Sequence, residues 1–181
     1  MNHSILILGS GGRESALAWK LSQDPSVQKV WVSPGNPGIN QLPDCETIVG
    51  DPLTIARKLS VDLVIVGPEK PLVAGVADDL RSIGFAVLGP SKVASMLERS
   101  KIESKQFMMD VGIPTATAVW YDDYQSAIEG LNNWDFDNGI VIKSDALAGG
   151  KGVVLCDTLA EAKEVVYSFM EDPTVTVKTQ R

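Results

Sequence analysis

Apolar positions along this chain fall in short runs, separated by turns rich in glycine and proline. Ile5–Leu8 is the first run. Gly9-Ser10-Gly11-Gly12 follows it, then the charged pair Arg13-Glu14. The pattern predicts a buried strand, a glycine turn and a helix from Arg13 to about Gln23. Asp24-Pro25 marks a turn, and Val27–Val32 reads as a second strand. Pro34–Gly38 is a punctuated loop, and Thr47–Val49 a short third strand. Asp51-Pro52 supplies an N-cap with proline at the first helical position, opening a helix to about Leu59. Val61–Val66 is nearly continuous in apolar residues, as expected of a parallel strand covered on both faces. Gly67-Pro68-Glu69 follows it. A helix is expected from Pro71 to Ile83, ended by Gly84, and a fifth strand at Phe85–Leu88, closed by Gly89-Pro90-Ser91. Strands alternating with helices in this way predict an α/β fold, a doubly wound parallel sheet. Ligands of such sheets bind beyond the carboxyl ends of the strands. Three glycine-bearing loops, Gly9–Gly12, Pro34–Gly38 and Gly67–Glu69, fall at such ends.

The pattern then changes. Helices are expected at Lys92–Arg99 and Lys101–Val111, the second stopped by Gly112-Ile113-Pro114. Thr115–Trp120 reads as extended and Asp122–Leu131 as a short helix. Gly139–Lys143 and Gly152–Cys156 read as two strands around the loop Ser144–Lys151. Thr158 and Glu161 have capping-box spacing and open a helix to about Met170. A boundary near Ser100 divides a sheet domain, 1–100, from an α+β region, 101–181.

Charge narrows the function classes. A formal charge of −7 over 181 residues argues against a general nucleic-acid or membrane-surface binder, which needs a basic face. It leaves room for nucleotides, which a few local cations can hold. Cys45 and Cys156 stand far apart and have no metal spacing, so both read as packing or surface thiols. His3 lies at the terminus and is not expected to be a catalyst. No apolar run approaches the roughly 18 residues of a membrane span, and no signal-peptide region is evident, so cytoplasm is the expected location.

Three stretches carry candidate chemistry. Gly9–Glu14 matches the first two glycines of a dinucleotide fingerprint, but Glu14 occupies the place of the third. An acid there is expected to press on the helix–sheet contact and to repel a pyrophosphate. One phosphate of a sugar phosphate suits the turn better, held by helix-start amides. The same pattern also fits a tight turn that binds nothing. Arg13 suits bidentate phosphate binding, or pairing with Glu14 or a neighbour. At Gly67-Pro68-Glu69 the carboxylate suits ribose hydroxyls or an amine, or simply caps a helix in solvent. Ile140–Val154 reads as a hairpin and lacks the GxxxxGK[ST] spacing of a P-loop. Lys143 at its strand end suits nucleotide phosphates as a fixed charge. Lys151 near its tip suits closure over the outer phosphates. An exposed glycine-rich hairpin is the plainer alternative, and Lys105 alone reads as a solvated helix lysine.

Together, GSGGRESALAWKL, SPGNPGI, DLVIVGPEKPLVAGVADDL, GPSKVASMLERSK, GIPTA and IVIKSDALAGGKGVV resemble the glycinamide ribonucleotide synthetase (phosphoribosylamine–glycine ligase) family, in its order and spacing from Ile5 to about Met170. The resemblance implies a pre-ATP-grasp sugar-phosphate-binding domain over 1–100, then a partial ATP-grasp region with a lid subdomain. It implies an ATP-dependent ligase that joins 5-phosphoribosylamine and glycine through a glycyl phosphate, with Mg²⁺, in de novo purine synthesis. Gly9, Gly11, Gly12, Arg13, Glu14, Asn36, Pro68 and Glu69 would then bind the sugar substrate. Gly11–Glu14 would lie at its phosphate and amine end, with Asn36 and Glu69 near the ribose. Lys105, Lys143, Gly149, Gly150, Lys151 and Gly152 would bind ATP. Lys143 and Lys151 would be catalytic, offsetting charge as the γ-phosphoryl moves to the glycine carboxylate. The implied partners are these small molecules, with neither nucleic acid nor membrane.

Departures from the family pattern are local, apart from length. Ser15 stands where the family has histidine, Ser144 where it has alanine, and Ala146 and Gly149 replace a glycine and an alanine of the lid. The family chain continues for more than this length again, and Thr174–Arg181 leaves its pattern. The resemblance places the Mg²⁺ ligands in that continuation. The expectation is thus an N-terminal portion of such a ligase, not fully active alone. A non-catalytic binding module reusing the fold is the alternative. A nucleotide-dependent oxidoreductase is disfavoured because Glu14 displaces the third glycine.

Overall fold

The computed structural model describes residues 2–145 and 152–171. The chain divides into two compact units, Met1–Ser95 and Met96–Arg181.

The first unit is built on five strands: β1 (His3–Gly9), β2 (Val27–Pro34), β3 (Cys45–Thr47), β4 (Leu63–Val66) and β5 (Ala86–Leu88). All pair in parallel, in the order β3-β2-β1-β4-β5. The central strand β1 alternates its apolar side chains between two cores. Ile5 and Ile7 join Val30, Val32, Ile39, Cys45 and Ile65 on one face. Leu6 and Leu8 join Ile55, Val61, Val64, Val66, Leu72 and Leu80 on the other. Each such side chain, fully buried, contributes about 1.5–3 kcal/mol. Helix α1 (Gly12–Leu21) covers the first face through Ala18. Helices α2 (Pro52–Leu59), α3 (Glu69–Ala74) and α4 (Val76–Ser82) cover the second. The order reverses between β1 and β4, because the chain leaves β1 towards β2 and β3 and returns to pair β4 on the opposite side.

Several expected boundaries shift for identifiable reasons. The third strand starts two residues earlier, at Cys45, which pairs with Val30 and is buried, whereas Val49 is 83% exposed. Val61 stays buried ahead of β4, but the ladder starts only at Leu63. The helix expected over Pro71–Ile83 is two helices. Gly75, at φ 99, ends α3 and begins α4, a conformation costly for any residue with a β-carbon. Lys92–Ser95 is a turn, in which Ser91 Oγ accepts from Ala94 N.

The second unit holds α5 (Met96–Arg99), α6 (Lys101–Asp110), α7 (Tyr124–Asn132), β6 (Ile140–Lys143), β7 (Val153–Cys156) and α8 (Leu159–Met170). β6 and β7 pair antiparallel, Lys143 opposite Val153. Ala127 and Leu131 of α7 and Ala162 and Val166 of α8 pack with Cys156 as its core. Thr115–Trp120 is exposed and joins neither sheet. The extended pattern expected there has no partner strand among the described residues.

Both thiols are buried, and burial raises the Cys45 and Cys156 thiols above the ordinary value; Glu161 and Asp157 add to the rise at Cys156. Intact-mass analysis after iodoacetamide at neutral pH should therefore show neither cysteine modified in the native chain and both modified in denaturant. Asp51 caps α2, and hydrogen bonds from Thr54 N and then Thr54 Oγ1 hold its carboxyl below the usual aspartate range. A carboxyl lowered on folding stabilises above its unfolded value of about 3.9, and that support is lost as pH falls through the folded value. Thermal unfolding followed below about pH 4 should show a weaker pH dependence for D51N, which still caps but does not titrate.

Candidate functional site

The first glycine turn leaves β1 at Gly9, with φ 130, and reaches the helix N-cap at Gly11. The opening amides of α1 have no acceptor within the helix. Glu14 satisfies the amide before them: its Oε2 accepts from Gly11 N at 2.6 Å. The Glu14 side chain is 4% exposed and packs against the carboxyl ends of both β1 and β4. A β-carbon at Gly9 would lie 2.6 Å from Glu14 Cδ, and one at Gly67 would overlap Glu14 Oε1. The two glycines thus form the notch that Glu14 fills. The expected pressure of an acid on the helix–sheet contact is absent, because two glycines on the strand ends make room for it.

Arg13 points the same way, its Nη1 donating to Gly67 O at 2.5 Å. Of the options open from sequence, the guanidinium here pairs with a neighbouring backbone carbonyl, and it keeps further N–H groups. The loop after β2 is stitched to the same turn. Gly35 N donates to Gly9 O at 3.0 Å. Asn36 Nδ2 donates to Ser10 O at 2.9 Å and Ser15 Oγ at 2.8 Å, and its Oδ1 accepts from Gly38 N. Ser15 Oγ lies 3.2 Å from Gly11 O, which it bonds as donor.

Between these elements lies an open cleft of about 230 Å³ lined by Gly11, Gly12, Arg13, Glu14, Pro68 and Glu69. It sits where the strand order reverses, the position at which open α/β sheets take ligands. The volume is below the roughly 300–1,000 Å³ of drug-sized pockets. Two other residues expected here do not line it: Gly9 lies beneath Glu14, and the Asn36 amide is committed to Ser10, Ser15 and Gly38. Glu14 Oε1 accepts no hydrogen bond from the described residues.

In the second unit, Lys143 ends β6 with its side chain exposed. Lys105 lies on α6, its ammonium donating to Thr115 Oγ1 at 2.6 Å and Ala116 O at 2.5 Å. Gly152 is buried, its carbonyl accepting from Ser144 N at 2.8 Å. Gly149, Gly150 and Lys151 lie outside the described residues. Sequence reasoning placed Gly67 in a loop at a strand end but missed that it makes room for the Glu14 carboxylate. It also passed over Asp145, which accepts from Ser100, Lys101 and Ile102 and has no local signal at all.

The first unit is a parallel sheet with a small, partly charged cleft where its strand order reverses, and the second holds an antiparallel hairpin, an α/β architecture with a ligand-sized opening at the usual place. The phosphoribosylglycinamide synthetase N domain matches residues 3–98, and the ATP-grasp (A) domain of the same synthetase matches 99–179. The chain belongs to the phosphoribosylglycinamide synthetase family. It is 46% identical over 171 residues to a phosphoribosylamine–glycine ligase of Pseudomonas putida, and 45% identical over 172 to that of Pseudomonas syringae pv. tomato. Each alignment covers 92% of this chain and 39% of the relative, so the chain spans about two fifths of the length of these relatives. The crystal structure of phosphoribosylamine–glycine ligase from Thermotoga maritima superimposes with a TM-score of 0.77 at 26% identity, covering 97% of this chain and 41% of that one.

The notch gives a direct test. Gly67 has no φ in the left-handed region, so the cost of G67A is steric, about 1–3 kcal/mol, or several degrees in Tm. E14A in the G67A background should recover part of that loss, read as coupling in a double-mutant cycle of thermal or urea unfolding. Strictly additive losses would mean that Glu14 does not fill the notch.

Proposed function

We propose that this chain supplies the sugar-phosphate cradle, residues 1–100, and the first part of the nucleotide region, 101–181, of an ATP-dependent ligase that joins 5-phosphoribosylamine and glycine. The observation that carries the reading is the switch-point cleft, where a cation and an unfilled carboxylate oxygen line one small space. The sugar's phosphate meets the opening amides of α1 and the guanidinium of Arg13, both suited to one phosphate group. The amine donates to Glu14 Oε1. Glu69, first residue of α3 on the same cleft, accepts from the ribose hydroxyls. Gly11 and Gly12 let the backbone approach the phosphate, and Gly9 and Asn36 hold the turn in shape. Pro68 shapes the opposite wall.

Family membership supports the rest of the reading. ATP supplies the phosphoryl group that activates the glycine carboxylate. Lys105 and Lys143 fit a nucleotide by charge and by their places on a helix and a strand end, and offset negative charge on its phosphates. Lys151, with Gly149, Gly150 and Gly152, completes that set by resemblance. No group of three or more acidic, histidine or cysteine ligands that could hold Mg²⁺ occurs among the described residues. The setting in purine synthesis and a cytoplasmic location belong to the same proposal. Among the described residues no helix is long and apolar enough to cross a membrane.

Isothermal calorimetry with ribose 5-phosphate tests the cradle. Binding is expected for the chain as it stands, and R13A should weaken it by about tenfold or more, the scale of one lost hydrogen bond to a charged group. Absence of heat with both proteins rejects the site.

A further inference from the structure

Helix α6 buries none of its side chains. Exclusion of apolar surface therefore does not determine where it lies. Its first turn is held by polar groups instead. Asp145, two residues past Lys143, accepts from Lys101 N at 2.6 Å and Ile102 N at 3.1 Å through Oδ1. Ser100 Oγ lies 3.0 Å and 2.9 Å from the two carboxylate oxygens, and Ser100 also caps α6 by accepting from Glu103 N at 3.0 Å. A carboxylate on opening amides is also favoured by the helix dipole. Chain segments 43–45 residues apart are thereby joined at one point. One carries Lys143 and the other Lys105.

We infer that Asp145 is a positioning residue that sets the spacing between the Lys105 and Lys143 ammonium groups, and through it their fit to nucleotide phosphates. The inference rests on the nucleotide reading of those two lysines. Lys105 is tied onward to Thr115 and Ala116. The ammonium is thus held by its own partners and is not a free side chain able to make up for a shift of α6.

The experiment reads position and binding separately. Spin labels go on Q106C and V141C, exposed sites on α6 and β6, while the buried Cys45 and Cys156 stay unlabelled. Pulsed electron resonance on the whole chain should give a narrow distance distribution that broadens in D145A. MgATP binding by calorimetry should weaken in D145A on the order of tenfold, with ribose 5-phosphate binding unchanged. D145N keeps an oxygen for the two amides and should recover most of both properties. S100A should show a smaller change of the same kind, and serves if D145A does not fold. An unchanged distribution, or an unchanged MgATP affinity beside a broadened one, overturns the positioning role. A broadened distribution in D145A together with no MgATP binding by the parent chain supports the tether and overturns the nucleotide reading.

Discussion

The first unit depends on one acidic side chain packed where a third glycine would otherwise stand. Glu14 is buried against the ends of β1 and β4, takes the Gly11 amide, and requires glycine at both Gly9 and Gly67. Removing water from a carboxylate is costly unless it is hydrogen-bonded, and the N-terminal end of a helix is one of the few places that supplies both donors and a favourable dipole. Turn, helix start and second strand end are therefore one assembly. The Arg13 bond to Gly67 O closes it from the solvent side.

Much of this was readable from residue patterns, because the apolar runs are dense and the turns are marked by glycine. β1 and its helix, the loop at Asn36 and the Gly67–Glu69 turn all fall at carboxyl strand ends, as expected. The part that pattern missed is the relation between elements. That Glu14 is accommodated rather than pressing the layers apart follows from a glycine 53 positions away. Asn36 reads as a ligand contact in sequence, yet its amide holds Ser10, Ser15 and Gly38 together. β3 begins at Cys45 rather than at Thr47, because Cys45 is buried and in register with buried Val30 while Val49 is exposed.

The second unit is held differently. Its core is a small cluster under α7 and α8, while α6 depends on carboxylate and hydroxyl contacts at its N-terminus. Periodicity reports burial and is blind to such contacts. Asp145 therefore looked like an ordinary loop residue, and Lys105 like an ordinary surface lysine.

Ser15 has a consequence of its own. The resemblance read from the sequence implies an imidazole at this position, a group that changes charge near neutral pH. Here a hydroxyl joins Asn36 to Gly11, and no member of that Ser10–Gly11–Ser15–Asn36 network titrates between pH 5 and 8. The stitching between the two glycine loops thus contains no group that changes charge near neutral pH, and the ionisable group that borders it is the Glu14 carboxylate on Gly11 N.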